Sequence, residues 1–281
     1  MKVLVFGATG QVARALQQYP GVQALRRADA DLSDPAACAR LIATTDADAV
    51  INAAAYTAVD AAETDEVLAT TVNADAPTQM AQAAAKRGIP FLHLSTDYVF
   101  AGDGAMARTA SAPTAPVNAY GRSKLAGEIG VRSAGGDYAI LRTSWVFSAY
   151  GGNFVKTMLN LASTRKSLNI VNDQIGGPTA ASDIAACLMK MATKMVAGQS
   201  GGTYHFSGAP DVSWADFARE IFAQADLAVQ VTGIPTADYP TPARRPLNSR
   251  LDCVALKADF DIDRPHWTVG LAQVLRDLKW T

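Results

Sequence analysis

Short runs of apolar and β-branched residues alternate with longer stretches of helical periodicity along the first half of the chain. Such runs are typical of buried strands, and the periodic stretches between them are typical of amphipathic helices. The runs predict strands at Lys2–Phe6, Val22–Arg27, Ala49–Asn52, Phe91–Leu94 and Ala139–Arg142. The intervening stretches predict helices that begin near Gln11, Pro35, Leu68, Ala76 and Ala119. Because strand and helix alternate, we predict an α/β fold with a doubly wound parallel sheet of the Rossmann type.

The pattern becomes less regular beyond Tyr150. Helical periodicity predicts helices near 153–163, 182–196, 213–225 and 269–278, with short strands at 168–171 and 204–207. No linker separates this part cleanly from the first. We therefore predict a dinucleotide-binding domain over residues 1–150. A smaller, interleaved C-terminal domain over residues 151–281 would bind mainly substrate, with some segments returning to the first domain.

A glycine turn follows the first predicted strand. Gly7-Ala8-Thr9-Gly10 breaks the apolar run, and a helical pattern begins at about Gln11. The turn leaves free N–H groups at a helix N-terminus, which favours an anion such as a pyrophosphate. The spacing Gly7-x-x-Gly10-x-x-Ala13 is a variant of the dinucleotide fingerprint, although an ordinary strand-to-helix turn has the same pattern. The predicted contacts are Gly7, Thr9, Gly10, Gln11 and Val12.

The ends of the next two strands supply further cofactor candidates. An acidic residue after the second strand normally holds the ribose 2′-hydroxyl of NAD, but here Arg26 and Arg27 stand there. Two arginines suit a 2′-phosphate, so we expect NADPH or NADH and favour NADPH; the alternative is that both are solvated surface charges. We expect Asp31 and Leu32 near the adenine. Small residues after the third strand, in the segment Ala53, Ala54, Ala55, Tyr56 and Thr57, would let a ligand approach the backbone.

Candidate chemistry lies after the fourth strand. Thr96, Asp97 and Tyr98 follow it, and Gly-, Ala-, Pro- and Thr-rich residues 101–118 predict an irregular, mobile loop. Tyr120 and Lys124 stand four apart, and therefore on one face of a helix. We predict that a nearby ammonium lowers the pKa of the Tyr120 phenol towards neutrality, which would make it a useful acid. The alternative is an ordinary surface pair beside a strand-end threonine.

Composition narrows the classes of function. The chain has 281 residues, 49% of them apolar and 18% charged, and a net charge of −1. This describes a compact protein and argues against a nucleic-acid partner. No apolar run is long enough to cross a membrane. The cysteines Cys38, Cys187 and Cys253 are scattered, which indicates a reducing cytoplasm, and the histidines show no zinc-ligand spacing.

Several motifs together resemble those of the dTDP-4-dehydrorhamnose reductases, a branch of the extended short-chain dehydrogenase/reductase superfamily. They are Gly7-x-x-Gly10, the segments 52–60, 95–100, 118–128, 142–147 and 173–179, and the Thr-Pro-Ala-Arg-Arg-Pro segment beginning at Thr241. The likeness covers essentially the whole chain. It implies reduction of the C4 keto group of dTDP-4-dehydro-β-L-rhamnose by a nicotinamide cofactor, with Thr96, Tyr120 and Lys124 as catalytic residues. Tyr120 and Lys124 would also contact the cofactor.

The substrate of such an enzyme is a nucleotide sugar. The predicted substrate residues are Thr96, Asp97, Tyr98, Tyr120, Trp145, Asn153 and Arg245. Trp145 follows a strand end, where it could cover the sugar, and Arg245 lies in a Pro-rich loop, where it could pair with a diphosphate. Trp145 could also be a core aromatic residue, and the loop arginines could be solvated.

Other functions remain open for the same fold. One is a nucleotide-sugar epimerase or dehydratase, although the dehydratases carry a carboxylate pair where this chain has Asp97-Tyr98. Another is a non-catalytic regulatory subunit. Some reductases bind magnesium at a dimer contact, at positions that we place at Ala15, Ser182 and Asp277. Two of these lack a carboxylate, so magnesium is doubtful, and we expect a monomer or a homodimer.

Overall fold

The structure, a computed structural model, describes residues 1–280; Thr281, the last residue of the predicted second domain, lies outside them. Thirteen strands are present in residues 1–280. They are β1 (Val3–Phe6), β2 (Val22–Leu25), β3 (Ala49–Asn52), β4 (Phe91–Thr96), β5 (Tyr138–Thr143), β6 (Val146–Phe147), β7 (Ser167–Val171), β8 (Ile175–Gly176), β9 (Thr179–Ala180), β10 (Gly202–His205), β11 (Val212–Ser213), β12 (Gln230–Ile234) and β13 (Asn248–Ser249).

The described part of the chain also contains eleven α-helices. They are α1 (Gln11–Leu16), α2 (Pro35–Thr44), α3 (Val59–Ala62), α4 (Glu66–Thr70), α5 (Ala76–Arg87), α6 (Ala119–Arg132), α7 (Phe154–Ala162), α8 (Ala181–Val196), α9 (Trp214–Gln224), α10 (Val254–Phe260) and α11 (Trp267–Asp277). No helix in residues 1–280 is both long enough and apolar enough to span a membrane.

The central sheet has six strands in the order β10-β5-β4-β3-β1-β2, and every neighbouring pair is parallel. One face packs against α1, α8 and α10, and the other packs against α2, α5 and α6. Helices on both faces explain why β1 is apolar throughout and why β3 and β5 are continuously apolar up to their polar carboxyl ends rather than alternating. The predicted doubly wound parallel sheet is therefore confirmed.

The part of the chain after residue 150 contributes to two different cores. Strand β10 becomes the sixth strand of the central sheet, beside β5, and α8 covers the sheet next to α1. Helices α7, α9 and α11 instead surround a separate cluster centred on Phe147, Phe217 and Trp267. Three small sheets lie outside the central one, with the strand orders β12-β7, β11-β8-β13 and β6-β9.

Local sequence signals set several element ends. Asp34 caps α2 by accepting a hydrogen bond from the Ala37 N–H at 2.9 Å, and Pro35 begins that helix. Strand β2 ends at Leu25, two residues before the predicted end, so Arg26 and Arg27 lie beyond the sheet. Strand β4 continues through Thr96, two residues past the predicted end. The short helix α10 and strand β12 had no clear pattern in the sequence.

Candidate active site

A groove of about 800 Å³ lies along the carboxyl ends of the central strands. Ligands of open α/β sheets bind at this edge, where the loops after the strands meet. Most of the residues predicted to bind cofactor or substrate line this groove: Gly7, Thr9, Gly10, Gln11, Val12, Asp31, Leu32, Ala53, Ala54, Ala55, Tyr56, Thr57, Thr96, Asp97, Tyr98, Tyr120, Lys124 and Trp145. The fold thus brings together side chains that are distant in sequence.

The glycine turn forms one end of the groove. Gly7 has φ +101°, a conformation that residues with a side chain rarely adopt. A Cβ at Gly7 would also lie 3.3 Å from Ala54 Cβ, so the turn packs closely on the segment after β3. A Cβ at Gly10 would meet no atom within 4 Å, which leaves open space in front of the start of α1. The turn therefore fits the backbone cradle that a dinucleotide pyrophosphate requires.

The two arginines after β2 line different pockets. Arg27 lines the groove, and its Nε donates to Asp31 Oδ2 at 3.0 Å. Arg26 does not line the groove; it lies in a smaller adjacent pocket with Arg14 and Tyr150, on the far side of Ala8 and Thr9. The chain turns directly after β2, and the Asp29 and Ala30 N–H groups both donate to the Arg26 carbonyl oxygen at 2.9 Å. From this turn the two arginine side chains reach different pockets.

Thr96 stands at the centre of a hydrogen-bonded cluster in the groove wall. Its hydroxyl oxygen accepts from the Tyr98 N–H at 3.2 Å and lies 3.1 Å from Asp97 Oδ1. Burial raises the pKa of the Tyr120 phenol and hydrogen bonding with Thr96 lowers it, and both side chains line the groove. Because a hydroxyl both donates and accepts, Thr96 can donate to Asp97 while it accepts from Tyr120. The three side chains therefore form one polar cluster.

Helix α6 carries Tyr120 and Lys124 into the groove. Asn118 caps the helix by accepting from the Gly121 N–H at 2.8 Å. A Cβ at Gly121 would lie 2.3 Å from the Tyr98 carbonyl oxygen, so the glycine permits α6 to lie against the turn after β4. This contact places the Tyr98 and Tyr120 rings edge to face, 5.6 Å between centroids. The close packing of α6 on this turn therefore explains why a glycine, Gly121, follows Tyr120.

The structure corrects the expected pKa of Tyr120. Burial raises this pKa to about 12, and hydrogen bonding with Thr96 offsets only part of the effect. Lys124 makes no ion pair with the phenol, because its Nζ bonds the Leu94 carbonyl oxygen at 2.7 Å and lies 3.2 Å from His93 Nε2. The prediction that Lys124 lowers the pKa of Tyr120 is therefore wrong for the protein as described. Tyr120 holds its proton firmly at neutral pH.

Lys124 is itself perturbed. Only 2% of the residue is exposed, and burial lowers the pKa of its ammonium group to about 8. Glu128, one turn further along α6, acts in the opposite direction. Glu128 is fully buried and bonds Ser95 Oγ at 2.6 Å and Arg142 Nη2 at 2.6 Å, so most of its charge is already matched. Lys124 therefore titrates close to physiological pH.

One carboxylate oxygen of Asp97 has no partner among the described residues of the groove wall. The residue is 3% exposed, and burial raises the pKa of its carboxyl group to about 6, although the nearby Ser249 side chain and the hydrogen bond from Thr96 lower it. Within residues 1–280, Asp97 Oδ2 is buried and has no hydrogen-bond partner. A buried acceptor without a partner costs free energy, so a ligand hydroxyl is a suitable donor for it.

Two stacked indoles form the opposite wall. The rings of Trp145 and Trp214 lie 3.5 Å apart between centroids and 10° from parallel, and both residues line the groove. Trp145 has φ +49°, an uncommon value for a bulky side chain. Trp214 was not predicted, because at the start of an amphipathic helix it resembles an ordinary core residue. Only the tertiary fold places it beside Trp145.

Two predicted substrate residues lie outside the groove lining. Asn153 caps α7, and its Nδ2 donates to Gln11 Oε1 at 3.1 Å and to the Ser148 carbonyl at 2.8 Å. The Arg245 guanidinium donates to both carboxylate oxygens of Asp60, at 3.0 and 2.9 Å. In this structure Asn153 therefore supports Gln11, and Arg245 joins its loop to α3. Their contacts with substrate stay predictions.

The structure also shows the surroundings of the expected magnesium positions, Ala15, Ser182 and Asp277. Ala15 and Asp277 lie on α1 and α11, and Ser182 lies at the start of α8. Across residues 1–280, no group of three or more His, Cys, Asp or Glu side chains is placed to hold a metal ion.

Comparisons with known proteins place the chain in a family. The family model described as "RmlD substrate binding domain" matches residues 1–280. A dTDP-4-dehydrorhamnose reductase of Sinorhizobium fredii is 45% identical over 278 residues, which cover 95% of this chain and 94% of the relative.

Solved structures of dTDP-4-dehydrorhamnose reductases have the same fold as this chain. A dTDP-4-dehydrorhamnose reductase from Clostridium acetobutylicum superposes with a TM-score of 0.93 at 36% identity, covering 99% of this chain and 100% of that one. The Bacillus anthracis enzyme of the same name, in complex with NADP, superposes with a TM-score of 0.92 at 34% identity, again over 99% and 100% of the two chains. The matches span both the central sheet and the C-terminal part. The chain belongs to the RmlD family, the family of the dTDP-4-dehydrorhamnose reductases.

Proposed function

We propose that the protein reduces the C4 keto group of dTDP-4-dehydro-β-L-rhamnose to give dTDP-L-rhamnose, with NADPH or NADH as the reductant. The observation that carries this proposal is the convergence of Thr96, Tyr120 and Lys124 on one groove in a chain of this family. A hydroxyl, a phenol and an amine at that point can hold a ketone oxygen and deliver a proton to it.

The cofactor would lie along the glycine turn. Gly7, Thr9 and Gly10 would face its pyrophosphate, Asp31 and Leu32 its adenine end, and Ala53–Thr57 its middle. When bound, a reduced nicotinamide supplies the hydride. The fit rests on the left-handed Gly7 and on the open space in front of Gly10. The NADP named for the Bacillus anthracis enzyme supports the same cofactor class for this chain.

Tyr120 would donate the proton to the ketone oxygen. Its raised pKa keeps the phenol protonated until negative charge develops on that oxygen. Thr96 would bond the same oxygen with its hydroxyl when it turns from Asp97. Asp97 Oδ2 would accept a bond from a sugar hydroxyl, which satisfies its missing partner. The Trp145–Trp214 wall would cover the apolar face of the sugar and exclude water.

The dehydratase and epimerase readings are less well supported. A dehydratase needs a second acid or base beside the sugar, and the residue after Asp97 is Tyr98, whose phenol pKa is raised further by burial. A regulatory subunit would not need a complete catalytic set. The polar Thr96–Tyr120–Asp97 cluster therefore favours the reductase.

A spectrophotometric assay tests the proposal. With dTDP-4-dehydrorhamnose, the nicotinamide absorbance should fall in proportion to the dTDP-rhamnose formed, in parallel runs with NADPH and NADH. The corresponding UDP sugar tests the nucleotide base. If dTDP-glucose is dehydrated without net loss of reduced cofactor, the dehydratase alternative is correct instead.

We infer that the enzyme works in the cytoplasm, as a monomer or a homodimer, without a nucleic-acid partner. The support is the net charge of −1 and the three cysteines, which are all buried and unpaired. Size-exclusion chromatography with light scattering, with and without added magnesium, measures the oligomeric state. A magnesium-dependent dimer would contradict the inference that we draw from Ala15 and Ser182.

A further inference from the structure

Behind the groove wall, three polar side chains from β3, β4 and α6 form a buried chain. Asn52 Nδ2 lies 3.1 Å from His93 Nδ1, and His93 Nε2 lies 3.2 Å from Lys124 Nζ. Asn52 and His93 are fully buried, and Lys124 is 2% exposed. Each ring nitrogen of His93 therefore faces one side-chain neighbour and is shielded from bulk water.

The orientation of the Asn52 amide is fixed from its other side. The backbone N–H of Ala54 donates to Asn52 Oδ1 at 3.2 Å, so the amide oxygen faces Ala54 and the NH₂ group faces His93. An NH₂ group can only donate, so His93 Nδ1 must accept and carries no proton. A neutral imidazole then has its proton on Nε2. Burial lowers the pKa of His93 well below its ordinary range, which excludes the imidazolium at neutral pH.

This tautomer constrains Lys124. Nε2–H is a donor, and an ammonium has no lone pair with which to accept it. The network is satisfied when Lys124 is a neutral amine that accepts from Nε2–H and donates to the Leu94 carbonyl. If Nζ takes up a proton, Nε2 must become the acceptor. The imidazole proton must then lie on Nδ1, and Asn52 must turn its oxygen towards it, which breaks the bond from Ala54.

We propose that His93 is a positioning residue that couples the proton on Lys124 to the orientation of Asn52 and, through it, to Ala54 in the groove wall. The Lys124–His93 pair takes up one proton in total. Nε2–H passes its proton to Nζ, and Nδ1 gains one proton from solvent when Asn52 turns, so the imidazole carries a single proton in both states. The relevance to turnover rests on the proposed function, since reduction of a ketone consumes one proton beside Lys124.

Among residues 1–280, Glu128 is the other charged group that acts on the protonation of Lys124, and it is already bonded by other side chains. Glu128 on α6 favours the ammonium, but its carboxylate is bonded by Ser95, by Arg132 at 3.1 Å and by Arg142 at 2.8 and 2.6 Å. Burial, which lowers the pKa of Lys124 to about 8, places the proposed change of state within reach of ordinary buffers.

NMR of the full chain labelled with ¹⁵N-histidine tests the proposal without substrate. The chain has three histidines, so the variants His205→Gln and His266→Gln assign the His93 signals. We expect a pyrrole-type Nε2 and a pyridine-type Nδ1 at high pH, and the reverse below the midpoint of the Lys124 titration, with no imidazolium near neutral pH. In Lys124→Met, the Nε2–H tautomer should persist at every pH.

Asn52→Asp provides a second test. A carboxylate accepts from Nδ1–H and from the Ala54 N–H together, so the Nδ1–H tautomer is favoured and the Lys124 midpoint should rise by about one pH unit or more. His205→Gln is the matched control, because His205 is also buried but contacts Arg142 rather than Lys124. In this variant the midpoint of the Lys124 titration should not move. A wild-type His93 whose tautomer is independent of pH, or that titrates as an imidazolium near its usual pKa, would overturn the proposal. A failed reductase assay would leave these NMR results unchanged, so the two proposals fail separately.

Discussion

The buried centre of the groove and its charged rim hold their polar groups in different ways. At the centre, Thr96, Asp97 and Lys124 are 6%, 3% and 2% exposed, and hydrogen bonds connect them to neighbouring polar groups. At the rim, the Arg27 side chain is 79% exposed, and the Arg245–Asp60 pair is 25% and 41% exposed. Burial shifts the pKa of Asp97, Tyr120 and Lys124 by about two units or more, whereas solvent screens the rim pairs.

This difference separates two kinds of effect. Under the proposed function, side chains at the centre would transfer or direct a proton, so their loss should lower kcat. Side chains at the rim would act on the charged parts of a cofactor or substrate, so their loss should change binding. Each variant below tests whether a residue follows the behaviour of its region.

The largest effect is expected for Tyr120→Phe. Losing the proton donor should lower kcat by about 10²–10⁴-fold, with cofactor binding changed by less than about twofold, because the phenol acts mainly in the transition state. Steady-state kinetics and fluorescence titration with NADPH measure the two quantities. Tyr98→Phe is the matched control in the same wall and should lower kcat far less. A Tyr120→Phe enzyme within threefold of the wild-type rate would remove Tyr120 from the mechanism.

Lys124→Met should lower kcat by about 10²-fold and also weaken cofactor binding. It should change stability as well. The folded pKa of about 8 lies below the ordinary value of 10.5, so the unfolded chain holds more protons between these pH values. The free energy of unfolding of the wild type should therefore gain up to about 3 kcal/mol from this residue as pH rises from 8 to 10.5. Urea titrations across that range should show no such gain in Lys124→Met. If the free energy of unfolding changes with pH in the same way in the wild type and the variant, burial does not lower the pKa of Lys124.

Arg26→Asp should lower the ratio of kcat/KM for NADPH to that for NADH by about tenfold, because a 2′-phosphate beside a guanidinium gains charge-assisted hydrogen bonds. Arg14→Ala, in the same small pocket, should shift the ratio in the same direction. Arg87→Ala, whose guanidinium bonds the Ala43 carbonyl outside both pockets, is the control. An unchanged ratio in Arg26→Asp would assign Arg26 to the solvated surface.

Trp145→Ala should raise the KM for the sugar nucleotide by about fivefold and leave the KM for the cofactor unchanged, since an aromatic stacking contact contributes about 1 kcal/mol. Trp214→Ala should act in the same direction, because Trp214 supports the Trp145 ring. Phe154 packs on Trp214 but does not line the groove. Phe154→Ala therefore tests whether weaker support of the Trp214 ring, without loss of a groove-lining side chain, is enough to raise the KM for the sugar nucleotide. Equal increases in the KM for both ligands would show a general loss of structure.

The smallest effect is expected for Arg245→Ala. If Arg245 acts by holding its loop to α3, then Arg245→Ala and Asp60→Asn should each weaken dTDP binding by about threefold, and the double variant should be no worse than either. Isothermal titration calorimetry with dTDP measures all three. A loss confined to the Arg245 variants would instead show that the guanidinium leaves Asp60 and binds the diphosphate directly.

Local sequence patterns were sufficient to predict the alternating strands and helices of residues 1–150. The apolar runs of β1, β3 and β5 and the turn at Gly7 follow from local sequence, since a strand covered on both faces is mostly apolar and the φ of +101° at Gly7 favours glycine. Tyr120 and Lys124 could be paired from sequence because helical spacing alone puts them on one face. The later segments were harder to predict, because short strands such as β12 take their pairing from β7, which is distant in sequence.

The sequence by itself thus determined the α/β class, the family and the composition of the groove. Only the tertiary structure decided that Arg245 bonds Asp60, that Trp214 stacks on Trp145, and that Lys124 bonds Leu94 and faces His93 rather than lowering the pKa of Tyr120. The physical reason is that propensity and periodicity act over a few residues. Burial, hydrogen-bond satisfaction and pKa depend on which distant side chains share a space, and the folded chain alone sets that.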